Sequence, residues 1–259
     1  MTTAFIFPGQ GSQAVGMGQA LAAASPAARA LFEEVDDALG QKLSRLMFEG
    51  PEDELTLTAN AQPAIMASSL AVLRVLEAEG GVRLPERAAF VAGHSLGEYS
   101  ALAAAGALEV AETARLLRVR GNAMQAAVAP GGGAMAAILG LDRDAVARVV
   151  AEAAAGGGTV AVANDNAPGQ VVISGDAETV ARAIALARDA GARRAMPLAV
   201  SAPFHCALMA PAATAMAEAL AGARLMAPLV PVIANVTAAP VVDPAAIRAL
   251  LVAQVTGTV

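Results

Sequence analysis

The chain opens on a short continuous apolar run, Ala4–Phe7, the pattern of a buried strand, which Pro8 and Gly9 stop. Residues 26–39 and 63–79 carry apolar positions at helical spacing over helical lengths, so two helices are predicted there. A second buried strand is expected at about 88–93, running into Gly93-His94-Ser95-Leu96-Gly97, with a helix at 96–105 behind it. A longer helix covers about 110–128 and ends at Pro130 and three glycines, a clear breaker.

Beyond the breaker the pattern changes. Residues 134–140 read as a strand, 142–154 as a helix, 159–163 and 170–174 as strands, 176–190 as a helix and 193–200 as a strand. The order βαββαβ is that of the ferredoxin-like motif. The expected fold class is therefore α/β, with a body built on a parallel sheet and a ferredoxin-like subdomain inserted at 130–198. Residues 1–129 and 199–259 make up the larger domain.

Composition changes this picture little. The chain of 259 residues is 56% hydrophobic and 15% charged, above the roughly 45–50% apolar content of ordinary soluble domains. Much of the excess is alanine. The stretches free of Asp, Glu, Lys and Arg (121–141, 195–216 and 225–242) are each broken by prolines or glycines, which a spanning helix of about 20 residues does not tolerate. No Lys or Arg precedes Arg29, so the charged start of a secretory signal is missing and a cytoplasmic location is expected. Cys206 is the sole cysteine, which excludes an internal disulfide and a multi-cysteine zinc site. Neither a bound metal nor a permanent cofactor is expected. A net charge of −6 argues against nucleic acid as the main partner.

The segment Gly93–Gly97 fits G-x-S-x-G, a strand-to-helix turn that exposes a serine and leaves no room for β-carbons beside it. Such a pattern arises by chance in a chain with 24 glycines, but here a strand precedes it and a helix follows. A serine needs a base. His94 is adjacent to Ser95, and neighbouring side chains on an extended strand point apart. His205, just past a predicted strand in Ser201–His205, is the remaining candidate. Cys206 beside it reads as a small buried filler.

The loop Phe7–Gln13 together with Ala14 formally satisfies the dinucleotide fingerprint G-x-G-x-x-G/A. The acidic residues at the required distance, Glu33 and Glu34, fall in a helical segment, which disfavours that reading. Between Gly9 and Gly11 the backbone of Gln10 is bare enough to offer its N–H to a reacting carbonyl. The N–H of Leu96 is the second donor of such an oxyanion hole. On the helix at 110–128, Leu116, Leu117, Val119, Ala123, Met124 and Ala127 form an apolar face, while Arg115 and Arg118 project away from it. Arg120 falls in the middle of that face. An internal salt bridge would account for it; so would a guanidinium that grips a carboxylate on the acyl group.

Together these segments resemble the malonyl-CoA:acyl carrier protein transacylases of fatty acid synthesis. The matching stretches are FPGQGSQ at 7–13, Gln62-Pro63, GHSLGEY at 93–99, RGNAMQ at 120–125, NDNAPGQVVISG at 164–175 and SAPFH at 201–205, in the family's order along nearly the whole chain. The resemblance implies a hydrolase-like α/β body with a ferredoxin-like subdomain. It implies that Ser95 takes malonyl from coenzyme A, that His205 is base and then acid, and that the main-chain carbonyl of Gln254 orients the histidine. It also implies that Gln10 and Leu96 make the oxyanion hole and that Arg120 binds the free carboxylate. Gln62 and Met124 join it in binding substrate, and Phe204 sits where the family accepts malonyl without a methyl branch. Such relatives continue past the position of Val259 with a further strand and helices, so the large domain is expected to be truncated at that end.

The activity expected is a ping-pong transfer by a monomer, from malonyl-CoA to the phosphopantetheine thiol of an acyl carrier protein. Arg193 and Arg194 are candidates for meeting an acidic carrier. The rivals are a transacylase of malonate decarboxylase or polyketide assembly, a serine thioesterase or esterase, and a carrier-binding scaffold without activity.

Overall fold

The computed structural model describes residues 3–259. In chain order the elements are β1 (Ala4–Phe7), α1 (Gln19–Ala24), α2 (Pro26–Leu39), α3 (Leu43–Glu49), α4 (Glu52–Thr56), α5 (Thr58–Ala78), α6 (Leu84–Arg87), β2 (Phe90–Gly93), α7 (Leu96–Ala104) and α8 (Val110–Ala126). There follow β3 (Gly133–Leu139), α9 (Arg143–Ala155), β4 (Val160–Ala167), β5 (Gln170–Asp176), α10 (Ala177–Asp189), β6 (Arg194–Pro197), α11 (Ala210–Gly222), β7 (Val232–Ala234), β8 (Ala239–Val241) and α12 (Pro244–Gln254). The chain divides into two compact units. One runs up to Asn122 and includes Glu218–Leu250; the other comprises Ala123–Ala217 and Leu251–Val259.

The first unit is built on a four-stranded sheet of order β1-β2-β7-β8. β1, β2 and β7 run parallel, with Phe7 opposite Gly93 and Ala92 opposite Ile233, and β8 returns antiparallel to β7. The three parallel strands come from remote parts of the chain: helices α1 to α6 alone lie between β1 and β2, while helices and the strands β3–β6 lie between β2 and β7, long connections of the kind parallel pairing requires. The helix predicted at 63–79 starts five residues earlier, at Thr58, and carries Pro63 in its second turn. Proline pairs no N–H with the preceding turn and is disfavoured there. Burial of every residue from Asn60 to Ala67 on this helix overrides that local preference.

In the second unit a four-stranded antiparallel sheet has the order β4-β5-β3-β6, with α9 and α10 packed against it. Its core comprises Ile138, Val146, Val149, Val171, Ile173 and Val180 among others. Asp142 caps α9 and Asp176 caps α10, each accepting the backbone N–H three residues on. The strand expected at 193–200 stops at Pro197. The last residues extend this unit: Val259 donates to the carbonyl of Ala163 and accepts from the N–H of Asp165, while the Thr258 hydroxyl donates to the carbonyl of Val162. The antiparallel sheet spans Gly133–Pro197, whereas the compact unit reaches from Ala123 to Ala217 and adds Leu251–Val259.

Candidate active site

Ser95 is the hinge between β2 and α7. Its φ of 53° and ψ of −108° lie where an L-residue is seldom found, and it is one of three non-glycine residues with positive φ among those described. The turn is tight enough that a β-carbon at Gly93 would collide with the carbonyl of Gly97, and one at Gly97 with the carbonyl of Phe7. The two glycines of the motif are therefore steric requirements of the elbow. Leu96 is the first residue of α7, and its N–H is one of those a helix cannot pair internally. Gln10 lies in the loop after β1, and its side-chain amide donates to the Thr58 hydroxyl at the start of α5, 3.3 Å away.

Arg120 is 1% exposed, among the largest fully buried side chains of the protein. Its Nη1 donates to Gln62 Oε1 at 2.9 Å and its Nη2 to Ser95 Oγ at 3.0 Å. The guanidinium also stands over the Tyr99 ring, 5.7 Å from its centre. Burial lowers the pKa of Arg120, with Tyr99 and the nearby Glu98 carboxylate opposing that shift. Burial likewise raises the Tyr99 hydroxyl, against the pull of Arg120. An arginine starts so far above neutrality that it stays charged. The close passage of α8 over the start of α5 depends on Gly121, where a β-carbon would come within 2.6 Å of Ala59 Cα.

Two details of α8 differ from its sequence pattern. Val119, placed on the apolar face, is 39% exposed, and Arg118, placed on the solvent side, donates to Asn60 Oδ1 at 2.8 Å and to Gln41 Oε1 at 2.6 Å. Burial lowers the pKa of Arg118 as well. Met124, one turn beyond Arg120 on the same helix, is buried.

In the second unit His205 is buried and has a φ of 59°, another of the three positive values. Its Nδ1 lies 2.8 Å from the carbonyl oxygen of Gln254. A carbonyl can only accept, so Nδ1 carries the proton and Nε2 is left as the basic nitrogen. Phe204 and Gln254 are buried beside it in sequence and in space, respectively. Cys206 is fully buried, its thiol directed at the carbonyl of Pro203 and raised in pKa by burial, which makes it inert. His94 is exposed and its backbone N–H donates to the carbonyl of Phe7.

One residue of the elbow escaped the sequence reading. Asn235, just after β7, accepts from the Ser95 N–H at 2.9 Å and donates to the Gly93 carbonyl at 2.7 Å, while its own N–H donates to Glu98 Oε2 at 3.2 Å. Nothing local to Ile233–Thr237 marks it, because its partners lie some 140 residues away in the chain.

Among the described residues no cluster of three or more His, Cys, Asp or Glu is placed to hold a metal ion. A hydroxyl presented on a glycine-flanked turn, with a buried cation 3.0 Å from it, is equipped to carry an acyl group; such a site on a parallel α/β sheet belongs to the serine acyl-transfer proteins. Comparison with known proteins agrees. The profile of the acyl transferase domain matches residues 4–257. The malonyl CoA-acyl carrier protein transacylase of Bacillus subtilis (strain 168) is 50% identical over 97% of this chain and 78% of its own length, and that of Escherichia coli (strain K12) is 49% identical over 97% and 80%. A crystal structure of the acyl-carrier-protein-S-malonyltransferase of Bartonella henselae superposes with a TM-score of 0.97 at 58% identity, covering all of this chain and 82% of that one. A malonyl-transacylase solved in complex with a type II polyketide acyl carrier protein is 46% identical, with a TM-score of 0.95, over all of this chain and 82% of its own. The chain belongs to the acyl transferase family, among the malonyl-CoA:acyl carrier protein transacylases.

Proposed function

We propose that this protein transfers a malonyl group from coenzyme A to the phosphopantetheine thiol of an acyl carrier protein, supplying fatty acid synthesis through an ester on Ser95. The observation that carries the reading is the Arg120 guanidinium hydrogen-bonded to the Ser95 hydroxyl and to Gln62. A malonyl ester on Ser95 ends in a carboxylate only three carbons from the oxygen, within reach of a cation poised beside that oxygen. A planar fork suits two carboxylate oxygens.

In the proposed sequence His205 Nε2 takes the proton of the Ser95 hydroxyl as Oγ attacks the thioester carbonyl. The N–H groups of Gln10 and Leu96 hold the oxyanion. The carbon–sulfur bond breaks, and His205 returns the proton to the departing coenzyme A thiolate. The carrier's thiol then gives its proton to His205, attacks the malonyl ester and restores Ser95. The Gln254 carbonyl keeps the imidazole in the tautomer this requires. Phe204 and Met124 line the acyl group, and Gln62 holds Arg120.

The order β4-β5-β3-β6 supports reading residues 130–198 as a ferredoxin-like subdomain in a hydrolase-like α/β body. No helix among the described residues is long and apolar enough to cross a membrane. The cytoplasm is the proposed location, a monomer the working form and a carrier protein the partner, while a net charge of −6 disfavours nucleic acid. No permanent cofactor takes part.

Mixing the protein with malonyl-CoA should give a malonyl adduct on Ser95 by mass spectrometry. Carrier protein added next should remove it faster than water does. An unmodified Ser95, or an adduct lost equally fast to water alone, would sink the transferase reading.

A further inference from the structure

The elbow poses a physical problem that its own sequence does not solve. Ser95 has left the β ladder, yet it must hold a disfavoured φ of 53° to aim its hydroxyl and the following N–H of Leu96. On one flank the ladder still serves, since His94 donates to the carbonyl of Phe7 at 3.0 Å. On the other flank the neighbour is β7, whose backbone pairs with β2 only as far as Ile233 opposite Ala92. One residue past the end of β7 the Asn235 carboxamide continues that ladder. It accepts from the N–H of Ser95 and donates to the carbonyl of Gly93, as a strand backbone would. Its backbone is tied in turn to Glu98, a carboxylate only 2% exposed in the first turn of α7.

We infer that Asn235 is a positioning residue for the transfer: a side-chain clamp that holds the nucleophile's backbone at its left-handed angle and aims the Leu96 N–H. The chemistry admits few substitutes. Aspartate keeps the acceptor for Ser95 but has no donor for Gly93, alanine has neither, and glutamine carries the amide one methylene too far. Both hydrogen bonds of the Asn235 carboxamide to the elbow are to its backbone. The carboxylate-binding group, Arg120, donates to Gln62 and stands over the Tyr99 ring, with the Glu98 carboxylate nearby. Losing the clamp should therefore slow chemistry while leaving the grip on malonyl intact.

This inference rests on the serine-ester reading, and the two fail differently. For Asn235→Ala, rapid-quench measurement of Ser95 malonylation should show kcat reduced about 100-fold, the scale of a 1 Å misplacement at a reacting centre, with KM for malonyl-CoA unchanged. Asn235→Asp, isosteric and retaining the acceptor, should fall between Ala and the parent and serves if the alanine variant does not fold. A folded variant with parental kcat overturns the clamp. So does a loss in which KM rises in step with the fall in kcat, the mark of general loosening. Absence of any adduct on Ser95 in the parent protein would instead overturn the transferase reading itself.

Discussion

At the scale of single residues the protein concentrates its costs around one serine and one histidine. Ser95 and His205 both hold positive φ, and Arg120 gives up its hydration to stand beside the serine. Backbone strain and buried charge persist only where the surroundings over-determine them. Around Arg120 those surroundings are Gln62, the Tyr99 ring and the Glu98 carboxylate. Replacing Arg120 by alanine should lower kcat/KM for malonyl-CoA about 100-fold, the equivalent of about 3 kcal/mol for a charge-assisted hydrogen bond that the transition state no longer receives. Transfer from acetyl-CoA, which has no second carboxylate, should fall far less. Steady-state kinetics with the two thioesters measures the ratio, and equal losses for both would mean that Arg120 supports the elbow rather than the acyl group.

At the scale of elements, close approach decides where side chains arrive. Gly121 lets α8 touch the start of α5, which brings Arg120 and Gln62 together. Gly121→Ala should destabilise the protein by about 1–3 kcal/mol, as overpacking does, and weaken malonyl selectivity with it; urea unfolding and the same two thioesters test both. In the second unit Asp176 caps α10 and also accepts from the Thr159 N–H, joining helix to strand. Burial acts to raise its carboxyl, but the N–H groups of Thr159 and Thr179 outweigh it and hold the pKa below the usual carboxylate range. A group depressed in the folded state stabilises above its unfolded value of about 3.9, and that contribution disappears as pH falls through the folded value. Asp176→Ala should cost about 1 kcal/mol near neutrality and less once the pH is well below that window, where the neutral carboxyl accepts more weakly. Urea midpoints across the acid range would show the two proteins converging.

At the scale of the whole molecule, each compact unit is assembled from separated stretches of chain. The terminal nine residues join the second unit, where Gln254 reaches His205 and Thr258 and Val259 bond along β4. On the proposed mechanism, removing residues 255–259 from the chain should loosen the Gln254 carbonyl and lower the rate of Ser95 malonylation about 10-fold or more. A shortened protein with an undiminished rate would show that α12 alone fixes Gln254.

Short-range signals were enough for the elements that announce themselves locally: the elbow glycines, the proline and glycine breakers, and the strand and helix patterns of residues 134–190. They also singled out Arg120, because a charge in an apolar stripe is visible in one helix. Other features were invisible for a physical reason. Alanine-rich α11 has little of the polar contrast that announces a helix face, and the burial of Pro63 within α5 is a tertiary fact. Folding alone chose the partners across long separations: Asn235 on the elbow, Arg118 on Gln41 and Asn60, and the terminal residues on β4. Hydrogen bonds between groups some 50 to 140 residues apart carry no local periodicity, so no window of sequence holds them.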